Sequence, residues 1–283
     1  MKKTKIDLFI NFFCLVSLFS VSIISCRDDN SDSSFEEDLM PEKINYGWTM
    51  SNVMWNPETD NNYHFTYDNN KRLINKKGGF LPIAGSTGFS GFFSTSVNTK
   101  ITYENNKAIL NDYVDNPNFT IQPNYTVYTL LNNQIVEKYI PSNNPIFDKK
   151  SLYKYTNSKL TEIITSYPNM PYNPNDPYDF VFTSSEKFEY DNNGNLIKIV
   201  FVAKHNNVIN GGIKETVFGN YDKAKNPFKK LYLIEEYFYK SLSKNNYRKI
   251  LITSYDQNNN IISSSGSSWE FPYDSAGNII LAK

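Results

Sequence analysis

Glu186-Lys187-Phe188-Glu189-Tyr190-Asp191-Asn192-Asn193-Gly194-Asn195-Leu196-Ile197-Lys198-Ile199-Val200 is the stretch whose reading decides the fold. Two runs mixing aromatic, β-branched and charged residues in near alternation flank a short polar centre. A period of two gives each run one face to bury, which is the signature of a strand. In the centre, the carboxylate of Asp191 is placed to accept from turn amides, and Gly194 tolerates a positive φ that other residues resist. The whole stretch therefore reads as a β-hairpin with its tip at residues 191–195.

The same phrase returns as Tyr67-Asp68-Asn69-Asn70-Lys71-Arg72-Leu73, Tyr103-Glu104-Asn105-Asn106-Lys107-Ala108-Ile109, Tyr255-Asp256-Gln257-Asn258-Asn259-Asn260-Ile261 and Tyr273-Asp274-Ser275-Ala276-Gly277-Asn278-Ile279. Each copy has an aromatic, then an acid, and an aliphatic six residues after the tyrosine. Tyr155 to Leu160 is a shorter copy and Thr129 to Ile135 a worn one. Lys71, Lys107 and Asn259 stand in the slot of Gly194 and Gly277, so those copies are expected to bear a small backbone cost. The spacing is too irregular for a strict solenoid. These Tyr–acid pairs are read as turn residues rather than catalytic acids. The expected fold is mainly all-β: an antiparallel meander of hairpins forming a curled or open sheet over residues 44–283.

The phrase resembles the YD repeat. Tyr221-Asp222-Lys223-Ala224-Lys225-Asn226-Pro227-Phe228, followed by Leu242-Ser243-Lys244-Asn245-Asn246, is similar to phrases that recur in this order in a set of uncharacterised Bacteroidota YD-repeat lipoproteins. That resemblance implies a location and a fold, and it carries no activity. Between the two phrases the sequence predicts one short helix near residues 227–242. Asn226 would cap it, Pro227 would take the first helical position, and Leu231, Ile234, Phe238 and Leu242 would form its apolar face. Lys229, Glu236 and Lys240 would face the other way. Gly78 to Gly91 reads as a flexible apolar loop and Pro141 to Pro145 as a turn. Tyr167 to Tyr178, with four prolines among tyrosines, reads as a crossover or an aromatic binding loop.

The N-terminus carries an address. Lys2, Lys3 and Lys5 precede an apolar stretch from Leu8 to Ile24, so residues 1–25 read as a signal peptide. Ile23-Ile24-Ser25-Cys26 resembles the lipobox of bacterial lipoproteins, which makes the Cys26 thiol the expected lipid attachment and a membrane the first partner. Residues 26–43 then form the lipidated end and a polar tether, with seven acids and two bases over 27–43. Arg27-Asp28-Asp29 at its start resembles a surface-export signal, so the protein is expected on the outer membrane, facing the cell surface, with a periplasmic orientation as the alternative. Cys14 leaves with the signal and Cys26 is lipidated, so cysteine chemistry is excluded from the body.

Composition limits the remaining choices. Lys+Arg 29 against Asp+Glu 29 argues against a nucleic-acid groove, and 40% hydrophobic with 16% aromatic residues argues against disorder. Part of the bias toward Asn (39 residues), Lys, Ile, Tyr and Phe reflects codons rich in A and T. His64 and His205 lack metal-ligand spacing, and no nucleophile elbow or phosphate loop occurs. No enzyme activity, cofactor or metal is expected. The function expected is a non-catalytic binding or scaffolding module for a glycan, a peptide or an envelope partner, with Trp48, Trp55, Trp269 and Tyr172 as candidate contact aromatics. The alternatives are a purely structural envelope protein and a cryptic carbohydrate-active enzyme.

Overall fold

Fourteen strands among the described residues form one antiparallel sheet, in which each strand pairs with its neighbours in sequence. The protein is described by a computed structural model over residues 38–48, 60–82, 91–121 and 125–282. The strands are β1 (Lys43–Asn45), β2 (Asn62–Tyr67), β3 (Leu73–Pro82), β4 (Gly91–Glu104), β5 (Lys107–Val114), β6 (Tyr125–Leu131) and β7 (Gln134–Ile140). They continue as β8 (Lys149–Thr156), β9 (Lys159–Ser166), β10 (Phe182–Tyr190), β11 (Leu196–His205), β12 (Val208–Gly219), β13 (Lys249–Tyr255) and β14 (Ile261–Ser268). β1 and β14 are the two edges. The expected all-β meander is thus the architecture found, and the sheet is open. After the bridge between Tyr273 and Ile279, the Leu281 carbonyl accepts from Asn45 N–H of β1 at 2.8 Å, so the C-terminal tail lies along the first strand.

The alternation seen in the sequence sorts residues by face. Phe188 is 6% exposed and Leu196 is fully buried, while Lys187 and Glu189 are exposed. The expected loop at Gly78 to Gly91 is corrected at its start, because Gly78 and Gly79 lie inside β3. A register shift between Lys77 and Gly79 marks a bulge, and Gly78 has φ +111° with Phe93 Cζ 2.7 Å from where a Cβ would stand. Only glycine fits both conditions. Residues 83–90 lie outside the described residues.

Residues 220–248, between β12 and β13, leave the sheet and pack on one of its faces. Phe228, Leu231, Leu233, Ile234 and Tyr237, all at most 3% exposed, join a cluster with Ile44, Tyr63, Phe65, Leu73, Phe93, Ile101, Tyr128 and Ile135 of β1–β7. Tyr247, with Phe238, Tyr239 and Leu242, joins a second cluster with Leu160, Ile163, Phe188, Leu196, Ile199 and Phe218 of β9–β12. Each large apolar side chain buried this way contributes roughly 1.5–3 kcal/mol of transfer free energy. The insertion therefore binds the two halves of the sheet to one another.

The helix within it is shorter than the periodicity suggests. A 3-10 turn spans Lys229–Leu231 and the helix α1 covers Glu235–Ser241, seven residues, with Ile234 at its N-cap making no side-chain cap. Asn226 does not cap it. Its Oδ1 accepts from Phe228 N–H at 2.8 Å, and its Nδ2 donates to the carbonyls of Lys240 and Ser243, both at 2.8 Å, so it ties the two ends of the insertion together. Of the face assigned to solvent, Glu236 is exposed as expected, with 41% of its side chain accessible, and Lys240 is corrected. Lys76 Nζ of β3, 9% exposed at its side chain, donates to Glu236 Oε1 at 2.7 Å, and the Lys240 ammonium stands over the Phe228 and Tyr237 rings.

Candidate functional site: the tyrosine rim

The turns carry the geometry expected of Asp191, and four of them share it. At Asp68, Asp191, Asp256 and Asp274, one carboxylate oxygen accepts from the N–H groups two and four residues on, at 2.8–2.9 Å. The other oxygen takes a side-chain donor from Arg72, Asn195, Asn260 or Asn278 at 2.8–3.2 Å. The residue three after the Asp has positive φ: Lys71 59°, Gly194 87°, Asn259 63° and Gly277 82°. Burial works to raise the Asp68 and Asp191 carboxyls, but hydrogen bonds from Arg72 and Asn195 outweigh it and hold both below the usual range. At Asp256 and Asp274 the donors from Asn260 and Asn278 are the leading cause of the same lowering. All four acids serve as turn acceptors.

The copy at Tyr103 is different. Glu104 pairs with Lys107, and Asn105 and Asn106 have φ 45° and 64°, so a two-residue turn closes the hairpin. Lys107 is the first residue of β5 and does not occupy the glycine slot. A glutamate is one methylene too long to fold back on the amide two residues ahead, as an aspartate does.

The repeat tyrosines explain the rest of the phrase. In four copies the strand register shifts immediately before the tyrosine, at Thr66/Tyr67, Lys154/Tyr155, Glu189/Tyr190 and Ser254/Tyr255. Three hydroxyls then reach the hairpin before their own. Tyr103 donates to the Leu73 carbonyl at 2.8 Å, Tyr155 to that of Ile135 at 2.9 Å, and Tyr221 to that of Leu196. Each acceptor is the aliphatic that ends the preceding copy, so the first position of one repeat is bonded to the last of another. Burial pushes the Tyr155 hydroxyl up to about 12 and those of Tyr103, Tyr190 and Tyr221 well above the phenol range.

These tips converge. The turns around Lys71, Asn133, Ser158 and Gly194 meet the insertion at Lys229, Lys230 and Tyr232 around a cavity of about 540 Å³. Its wall holds Tyr103, Tyr155, Tyr190, Tyr232 and Phe238 together with Lys71, Arg72, Lys159, Lys229 and Lys230, and Asp38 is the one acid in it. The Arg72 guanidinium lies 4.2 Å from the Tyr103 ring centre and pairs with Asp68 at 2.7 Å, and the Lys159 ammonium is 5.4 Å from the centre of Tyr190. Sequence reading placed Tyr103, Tyr190 and Gly194 in turns without seeing that they share a wall. It missed Tyr155, the head of the shorter copy, and Tyr232 as wall residues, and Tyr232 carried no repeat signal.

The aromatics singled out from the sequence go elsewhere. Trp269 is half-buried, edge-on to Tyr247 with ring centres 5.8 Å apart, and packs against the second cluster. Tyr172 is 43% exposed in the proline-rich segment expected as a crossover, which the structure shows to be a loop joining the adjacent strands β9 and β10. Neither lines the rim cavity. Trp48 ends a short 3-10 turn after β1. Trp55, Cys26, Arg27, Asp28 and Asp29 lie outside the described residues. His64 contacts Asp60 at 2.6 Å, and His205 stacks on Phe180 with ring centres 3.5 Å apart. No group of three or more His, Cys, Asp or Glu suited to a metal ion occurs among the described residues.

The class these observations define is an all-β antiparallel meander with a core-forming insertion and a tyrosine-lined rim. No protein-family model and no curated protein matches the chain. Among solved structures it is similar to a porin-like protein from Bacteroides vulgatus ATCC 8482, at 13% identity and TM-score 0.47, covering 80% of this chain and 87% of that one. It is also similar to a porin-like protein from Bacteroides uniformis ATCC 8492, at 12% identity and TM-score 0.45, covering 81% and 84%.

Proposed function

We propose that the protein is a lipid-anchored module of the outer membrane, displayed on the cell surface, that holds a glycan in its rim cavity without transforming it. The observation that carries this reading is the wall of the cavity itself. Ring faces and side-chain donors around a concave space of several hundred Å³ suit the retention of a small ligand. Tyr103 and Tyr155 are held by hydroxyl bonds to backbone carbonyls, so little side-chain freedom is lost when a ligand lies on them. The anchor is supported by the lipobox-like sequence at Cys26, and surface display by Arg27-Asp28-Asp29.

A glycan-array screen of the purified protein tests the binding. Capture of defined oligosaccharides, lost in Tyr232→Ala and kept in Tyr172→Ala, is the expected result. Capture lost in Tyr172→Ala alone would move the site to the loop between β9 and β10. Location is tested in cells: Cys26→Ser should abolish lipid labelling and membrane retention together, and external protease should digest the wild-type body but spare that of Asp28→Ala/Asp29→Ala. Membrane retention of unlabelled Cys26→Ser protein would contradict the anchor, and equal shielding of both proteins would contradict surface display.

A further inference from the structure

We infer that the rim cavity is built for an anionic saccharide, one whose sugar ring carries carboxylate or sulfate groups. This rests on the binding-module reading above and adds the charge of the ligand to it.

The chain as a whole is balanced, with 29 basic and 29 acidic residues, yet the charged side chains at this wall are five bases and one acid. Lys71, Arg72, Lys159, Lys229 and Lys230 face the space with Asp38 as the single acid, and the Asp38 carboxylate stands 3.8 Å from Lys230. Arg72 is already engaged by Asp68. Lys229 forms no ion pair among the described residues. Like charges gathered in a concave, partly enclosed space raise the local potential and favour an anion. A bare anion would need only the cations, whereas five aromatic rings stand beside them in this wall. The C–H face of a pyranose lies well on a tyrosine ring, and a carboxylate or sulfate on that sugar then reaches the neighbouring ammonium.

The test uses the full chain in detergent and three hexasaccharides of equal length: one sulfated, one built of uronic acids, one neutral. At low salt the wild type should bind both anionic chains at least tenfold more tightly than the neutral one, and added salt should erode that advantage. Lys229→Gln/Lys230→Gln should cut the preference for anionic over neutral chains about tenfold, with an unaltered melting temperature. If that variant melts lower, Lys159→Gln serves in its place with the same expectation. A large excess of inorganic sulfate should displace the anionic chains poorly, and displacement as effective as that by the free hexasaccharide overturns the proposal in favour of a simple anion site. Equal affinity for all three chains, lost in Tyr232→Ala but untouched by the lysine variants, overturns the charge assignment and leaves the glycan module standing. Absence of binding to all three overturns both.

Discussion

The tyrosine hydroxyls do more than fill the rim. Each of Tyr103 and Tyr155 donates to a carbonyl of the hairpin before its own, at 2.8 and 2.9 Å, in half-buried surroundings where water competes poorly. A net value of about 0.5–1.5 kcal/mol attaches to such a bond. Tyr103→Phe and Tyr155→Phe should each destabilise by that amount in urea titrations, whereas Tyr255→Phe, whose hydroxyl has no hydrogen bond among the described residues, should be nearly neutral. Equal effects at all three would mean that the hydrogen bonds add nothing to stability. The motif itself was legible, because an aspartate followed by a glycine or asparagine is local turn chemistry. The target of the hydroxyl was not, since it lies in another hairpin. Lys107 was misplaced because aligning copies on the tyrosine cannot separate a five-residue aspartate loop from a two-residue Asn-Asn turn.

At the scale of elements, the insertion joins phrases that look unrelated in the sequence. Asn226 bonds Ser243, Asn246 Nδ2 donates to Asp222 Oδ1 at 3.1 Å, and Asn245 N–H donates to Asn195 Oδ1 at 2.8 Å, so both phrases lock together and onto the hairpin tip at 191–195. This mutual bonding gives a physical reason for the two phrases to stand together in one chain. Helix periodicity correctly found an apolar face at Leu231 and Ile234. It missed the burial of Leu233 and Tyr237, because it took the segment as one regular helix with a single apolar face, whereas the α-helix starts only at Glu235. The ion pair of Lys76 with Glu236 gives a direct test. Glu236→Gln leaves an ammonium that is 9% exposed without its carboxylate and should cost about 2–4 kcal/mol. Lys76→Met combined with Glu236→Gln should recover much of the loss in a double-mutant cycle. A single variant as stable as wild type would show that Lys76 finds water.

For the whole molecule, buried phenols set the response to alkali. Tyr155 is pushed up to about 12, and Tyr67, Tyr103, Tyr190 and Tyr247 higher still, all chiefly by burial. A phenol whose folded pKa is raised contributes stability that is fully present below the unfolded value of about 10 and is lost as pH rises past it. Tyrosinate absorbance from this set should therefore appear together with the loss of the β-sheet circular dichroism signal above about pH 10, and full ionisation at native signal would contradict the burial. The meander was legible from alternation and turn chemistry repeated along the chain. The packing of the insertion across β1–β12 was not, because its contacts join residues far apart in the sequence and have no period. The central claim is that the convergence of hairpin tips at the rim makes a ligand site, and hydrogen–deuterium exchange of the full chain with and without a saturating sulfated hexasaccharide tests it most directly. The account predicts added protection at residues 69–73, 157–160 and 229–233 and none at 172–178 or in β14, whereas protection confined to the loop between β9 and β10 or to the edge strand would contradict it.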